Sequence, residues 1–209
     1  MVLFSSCAHP WRTEGHDLFS LGRPRRVAFD NEVNGGRWFE ATYKAPNGVL
    51  YGWYHMEPYG LPLKNREGRP LTAPRIGAAR SEDDGRHWHD LGIVLEAPEG
   101  TDRSDTVNHY FAGGNGDFSV IVDRERKWVY FLISAYGDFA EQGVAIARMR
   151  WAHLDDPVGN VWKWRQGKWA EPGLGGHLTP ILPARVDWHA EDVDAFWGPS
   201  VHYNTYLER

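Results

Sequence analysis

The sequence predicts an all-β protein, and three observations carry the prediction. Short segments of β-type composition recur along the chain and are bounded by Gly, Pro, Asn or Asp. No helix-length amphipathic stretch with convincing caps interrupts them. The turn residues between neighbouring segments have hairpin chemistry.

The predicted strands are 48–56 (GVLYGWYHM), 118–123 (FSVIVD), 127–134 (KWVYFLIS), 143–151 (GVAIARMRW) and 201–207 (VHYNTYL). Each is rich in Val, Ile, Tyr, Trp and Phe, which suit a pleated, half-buried surface. Pro46, Asn47 and Gly48 form the turn entering the first, and 123–126 (DRER) links the second to the third.

Three segments resemble one another: FEATYKAPNGVLYGWYH from Phe39, GDFSVIVDRERKWVYFLIS from Gly116, and WGPSVHYNTYLER from Trp197. Aligning Glu40, Asp117 and Gly198 spaces them 77 and 81 residues apart. A second hairpin-like pair follows each of the first two, from Arg75 and from Gly143. Each unit reads as four antiparallel strands with a long insertion, and four-stranded units in series suggest blades of a β-propeller. The expected division is the tail of a preceding blade over 1–36, blades over 37–112 and 113–194, and the start of another over 195–209. A propeller typically needs at least about four blades. The expectation is therefore an incomplete ring in a fragment, closed by missing blades or by another copy of the chain.

The chain has 209 residues, with 23 Lys+Arg against 28 Asp+Glu and a net charge of −5. That balance argues against nucleic acid or an anionic membrane held by a global field. Eleven Trp, nine Tyr and nine Phe exclude disorder. No apolar run is long enough for a transmembrane helix. One cysteine, Cys7, excludes an intrachain disulfide framework. The opening MVLFSSCAHPWR lacks a basic n-region, so the default location is the cytoplasm, although a truncated N-terminus would hide an export signal. The ten His have no H-E-x-x-H or Cys/His spacing, so no metal or cofactor is expected. Gly113, Gly114 and Gly116 precede a strand rather than a helix, so no phosphate loop is expected.

The sharpest local motif is 81–88 (SEDDGRHW), of the form S-x-D-x-G-x-x-W. Gly85 permits a tight turn, the Asp83 carboxylate can accept backbone N–H bonds beside Ser81, and Trp88 can pack the hairpin down. The motif resembles the Asp box of sialidases and related propellers, which implies a structural role, although His87 stands where Thr or Ser is usual. No arginine triad for a sialic acid carboxylate is evident; Arg23, Arg25 and Arg26 read as a solvated turn.

On the propeller reading, Glu40 and Asp117 occupy equivalent places in successive blades and point toward one cavity. Two carboxyls flanking a sugar oxygen are the minimal machinery of most glycoside hydrolases. The runs from Phe39 and Gly116 look like the blade-opening strands of five-bladed propeller glycosidases, the group around glycoside hydrolase family 43. That resemblance implies a Glu acid, matched here by Glu40, and Asp residues as base and acid-tuning partner, one matched by Asp117. In that group both Asp residues precede the Glu, whereas Asp117 follows Glu40. Either an earlier blade with the base lies outside this chain or the assignment fails. Tyr54, His55, Glu57, Asn108, His109, Asn115, Trp197, His202 and Asn204 are expected at the same mouth, where rings stack on sugars and polar groups bond hydroxyls. The predicted function is a glycosidase acting on a carbohydrate. The alternatives are a non-catalytic carbohydrate-binding propeller and a scaffold for protein partners.

Overall fold

The computed structural model describes residues 1–193 and 196–208. It is all-β, with a sheet curled into a half-barrel. The strands are β1 (Val2–Phe4), β2 (Trp11–Glu14), β3 (Arg25–Arg26), β4 (Ala28–Phe29), β5 (Gly35–Lys44), β6 (Leu50–Pro58), β7 (Arg75–Ser81), β8 (His87–Leu95), β9 (Asn115–Val122), β10 (Trp128–Ala135), β11 (Gly143–Arg150), β12 (Val161–Arg165), β13 (Lys168–Pro172) and β14 (Leu182–Pro183). They form a small sheet β1-β2-β3, a five-stranded sheet β4-β8-β7-β6-β5, and a larger sheet β13-β12-β11-β10-β9 with β14 joined to β11. Strands β5 to β8 and β9 to β12 are each an antiparallel meander. Among the described residues, no helix is long and apolar enough to cross a membrane.

Alternation along the strands decides which faces meet. In β6, Tyr51 and Trp53 point to one side while Leu50, Tyr54 and Met56 point to the other, and all are buried. The first side joins Ile76, Ala78, Val94 and Leu95 against Phe118, Val129, Phe131, Ile133, Ala145, Ala147 and Met149 of the second large sheet. This is the main core, with Trp53 and Phe131 edge to face at 5.9 Å. Each such aromatic contributes about 1.5–3 kcal/mol by leaving water.

On the opposite side of the first large sheet, Phe39, Tyr54 and Trp88 lie under Phe4, Val27, Phe29 and Val33 of the N-terminal segment. Phe39 and Trp88 are 4.5 Å apart, and a Cβ on Gly52 would stand 2.6 Å from Phe39 and 2.8 Å from Trp88. Glycine is required there because the rings lie directly on the backbone. The second large sheet carries a different outer face: Trp128, Tyr130, Leu132, Trp164 and Trp169 are half-buried and Trp162 is exposed.

The 81–88 turn is locked by its own side chains. Ser81 Oγ accepts the Gly85 N–H at 2.8 Å, and Asp83 Oδ1 accepts the Arg86 and His87 N–H groups at 3.0 and 2.9 Å. Trp88 Nε1 donates to the Gly85 carbonyl at 3.0 Å, and Gly85 takes φ +82°, where glycine is favoured. Partial burial would raise the Asp83 pKa, but the hydrogen bonds from His87, Ser81 and Arg86 hold the carboxyl well below the usual range. Arg12 donates to the Asp84 carbonyl at 2.6 Å and ties β2 to the turn.

Lys163 is a charged side chain within the core layer, with no exposed surface. Its ammonium donates to the Glu96 and Gly176 carbonyls at 2.5 and 2.8 Å, joining the loops after β8 and β13. Burial lowers its pKa to about 8 against the opposing pull of Glu141, Glu96 and Glu171.

One predicted strand is corrected. Residues 201–207 are irregular and end in a turn, not a strand. Asn204 Oδ1 accepts the Tyr206 and Leu207 N–H groups at 3.0 and 2.8 Å, which diverts those donors from any ladder.

Candidate functional site

Glu40 and Asp117 both sit on β-bulges. In the β5–β6 pairing Phe39 faces Tyr54 and Ala41 faces Trp53, so Glu40 is the extra residue. In the β9–β10 pairing Gly116 faces Ser134 and Phe118 faces Ile133, so Asp117 is the extra residue. A bulge re-aims its side chain and leaves ladder groups unpaired. Asp117 also takes φ +41°, an uncommon conformation for a residue with a side chain.

The groups left unpaired at the second bulge are satisfied from the first large sheet. Phe118 N–H donates to Glu40 Oε2 at 2.7 Å, and Asp117 N–H donates to His55 Nδ1 at 3.0 Å. His55 Nδ1 therefore keeps its lone pair, and its proton sits on Nε2, 3.1 Å from Glu57 Oε1. Tyr136 Oη donates to Asp117 Oδ2 at 2.6 Å. His55 Nδ1 lies 3.9 Å from Glu40 Oε1 and 3.8 Å from Asp117 Oδ1. Gly116 is fixed by this approach, because a Cβ would stand 2.7 Å from the His55 ring.

Burial raises the Glu40 pKa to about 7; the Phe118 N–H and His55 oppose this, and the Asp117 carboxylate adds to it. For His55, burial alone would lower the pKa, but the Glu57 hydrogen bond and the Asp117 and Glu40 carboxylates outweigh it and the net direction is up. Burial, reinforced by Asp117, pushes the Tyr136 hydroxyl well above its ordinary value.

One ligand atom from each of Glu40, His55 and Asp117 lies within 4.8 Å of the others, a spacing that suits a cation. The lone pair of His55 Nδ1, Glu40 Oε2 and Asp117 Oδ2 already accept hydrogen bonds. One oxygen on each carboxylate is left without a protein donor among the described residues. A pair of free oxygens suits proton transfer better than a closed coordination shell.

The other sequence candidates divide. His55 and Glu57 belong to the site. Trp38 meets the His55 ring edge-on at 5.6 Å. Trp197 is exposed and packs on Tyr110, Phe111 and Trp188, with Phe111 5.8 Å from His55, so Trp197 stands one ring away. Tyr54 is a correction: strand alternation turns it to the opposite face, where its hydroxyl donates to Asp90 Oδ1 at 2.7 Å. Asn115 is buried, with Nδ2 on the Gly114 carbonyl and Oδ1 without a protein donor. Asn204 caps its own turn, Asn108 caps Tyr110 and Phe111, and His109 bonds Asn65. His202 is exposed. Sequence reasoning missed Tyr136 and the backbone donors of Asp117 and Phe118. Tyr136 lies just past the predicted end of the 127–134 strand, and no spacing marks it.

No protein-family model, no curated protein and no solved structure matches the chain.

Proposed function

We propose that the chain is a carbohydrate-active protein of the glycosidase type, with the two large meanders as neighbouring blades of a propeller. The observation that carries the reading is the carboxyl pair: Glu40, with its pKa raised to about 7, faces Asp117 with oxygens within 4.8 Å. A carboxyl that keeps its proton near neutrality can donate it to a glycosidic oxygen. Asp117, held by the Tyr136 hydroxyl, is then the carboxylate that meets the anomeric carbon. His55 holds the Asp117 backbone, Glu57 orients His55, and Trp38 packs edge-on against the His55 ring, with Trp197 one ring further out beyond Phe111. The sialidase-like 81–88 turn, with its internal bonding, supports the same family of folds.

A second reading rests on the Phe118 N–H bond to Glu40 and the Asp117 N–H bond to His55. They clasp one sheet to the other, as a purely structural or sugar-binding protein would need.

The test is hydrolysis of a panel of aryl glycosides by the whole chain, the Glu40→Gln variant and the Asp117→Asn variant. Both variants should lose about 10²–10⁴-fold in kcat while keeping the native circular dichroism. The parent's activity should decline as Glu40 ionises above pH 7 or so. Turnover untouched by either substitution refutes the pair, and sugar binding without turnover selects the second reading.

A further inference from the structure

The outer face of the second large sheet holds a cluster unrelated to the carboxyl pair. It lies near Trp128, at the end of β10 opposite the bulge. Cross-strand pairing sets Trp128 beside Arg150, Tyr130 beside Arg148, and Arg148 beside Trp162. The Arg148 guanidinium lies 3.9 Å from the Trp128 ring centre and 4.3 Å from that of Trp169, so two indoles hold it. Arg150 lies 4.9 Å from the Trp128 ring. These residues, with Asn160 and Trp162, line a cavity of about 270 Å³ whose wall contains no acidic side chain.

Neither guanidinium makes a side-chain hydrogen bond or ion pair among the described residues. An arginine stacked on rings keeps its in-plane N–H groups free, and that edge matches a carboxylate two bonds at a time. Trp162 is 42 % exposed, so one indole remains open for stacking. The cavity is at the small end of ligand sites. Its parts answer three features of one ligand class: a flat-faced ring, a carboxylate and neighbouring hydroxyls.

We infer that this face binds an acidic saccharide, a uronic acid ring stacked on Trp162 with its carboxylate on Arg148 and Arg150. Asn160 is placed to bond a hydroxyl. A long polyanion such as nucleic acid fits less well, because the chain as a whole carries net charge −5. The inference stands whether or not the carboxyl pair is catalytic.

The experiment is a tryptophan-fluorescence titration of the whole chain at low salt with trigalacturonic acid, with cellotriose and a short oligothymidylate in parallel. Saturable binding of trigalacturonic acid is expected, at least about tenfold tighter than cellotriose and weakened about tenfold in Trp162→Ala and in Arg150→Ala. Both side chains are exposed, so the variants should melt with the parent, and Arg150→Glu gives an independent charge reversal. Absence of saturation up to about 10 mM overturns the proposal. So does equal binding by all variants, and tighter binding of the oligothymidylate would assign the face to nucleic acid instead.

Discussion

The two large sheets carry their aromatic residues differently on the faces they do not share. On the first, Phe39, Tyr54 and Trp88 are buried beneath the N-terminal segment. On the second, Trp128, Trp162 and Trp169 remain at least partly in solvent. Ring content does not explain the contrast, because both faces are rich in it. The neighbours on the adjacent strand do. On β7 the residues beneath the rings are Gly77 and Ala79, and a Cβ on Gly77 would stand 2.2 Å from the Tyr54 ring. On β11 they are Ile146, Arg148 and Arg150, which hold the rings up and put charge between them. Small residues let an aromatic layer sink and accept a cover. A cation is admitted beneath the cover when it is paired, as Arg37 over Phe29 is with Asp90 at 2.5 Å, whereas Arg148 and Arg150 have no acidic partner among the described residues and lie on the open face.

The largest expected effect tests the covered face. Trp88→Ala should destabilise by about 3–5 kcal/mol in denaturant unfolding, because it removes a fully buried indole and the turn anchor on the Gly85 carbonyl. A loss below about 1 kcal/mol would break the comparison. Gly116→Ala tests the seam between the sheets. Its methyl would meet the His55 ring at 2.7 Å, and His55 is held on both sides, so a loss of about 3 kcal/mol is expected. Unchanged stability would show that the seam is loose.

Glu40→Gln sharpens the same seam through pH. Burial raises the Glu40 pKa from its ordinary value of about 4.5 to about 7, so the folded state binds the extra proton between those values. The parent should therefore lose stability as pH rises from about 4.5 to about 7 and be level beyond. Glutamine keeps the acceptor for the Phe118 N–H and cannot ionise, so the variant should match the parent at pH 4 and exceed it by about 1–3 kcal/mol at pH 8. Parallel stability curves for the two proteins would remove burial as the cause. The smallest effect belongs to the open face: Trp162→Ala should shift unfolding by no more than about 0.5 kcal/mol. A shift comparable to that of Trp88 would mean that the open face is closed in solution.

The strands were legible where side chains alternate or run apolar. The 48–56, 118–123, 127–134 and 143–151 segments correspond to β6, β9, β10 and β11, because Trp, Tyr, Val and Ile face two buried layers there. Residues 201–207 have the same composition yet form no strand. Composition supplies a surface that fits a sheet, but a partner strand has to supply the ladder, and Asn204 supplies a competing turn. Equivalence of Glu40 and Asp117 was readable from the repeat, since both open similar runs 77 residues apart. The bulges were not readable, because an extra residue changes register without changing composition. Tyr54 was misplaced for a related reason: its neighbour His55 faces the site, and period-two alternation then turns Tyr54 away from it.

Lys163 turns the interior into a clock. A solvent-accessible lysine reacts with an amine-directed reagent in proportion to its neutral fraction, but this one is sealed behind the Glu96 and Gly176 carbonyls. Its acylation must wait for those two loops to part. Labelling at Lys163, followed by mass spectrometry against exposed Lys168, would read how often the layer between the loops opens, on a timescale that crystallographic disorder does not register.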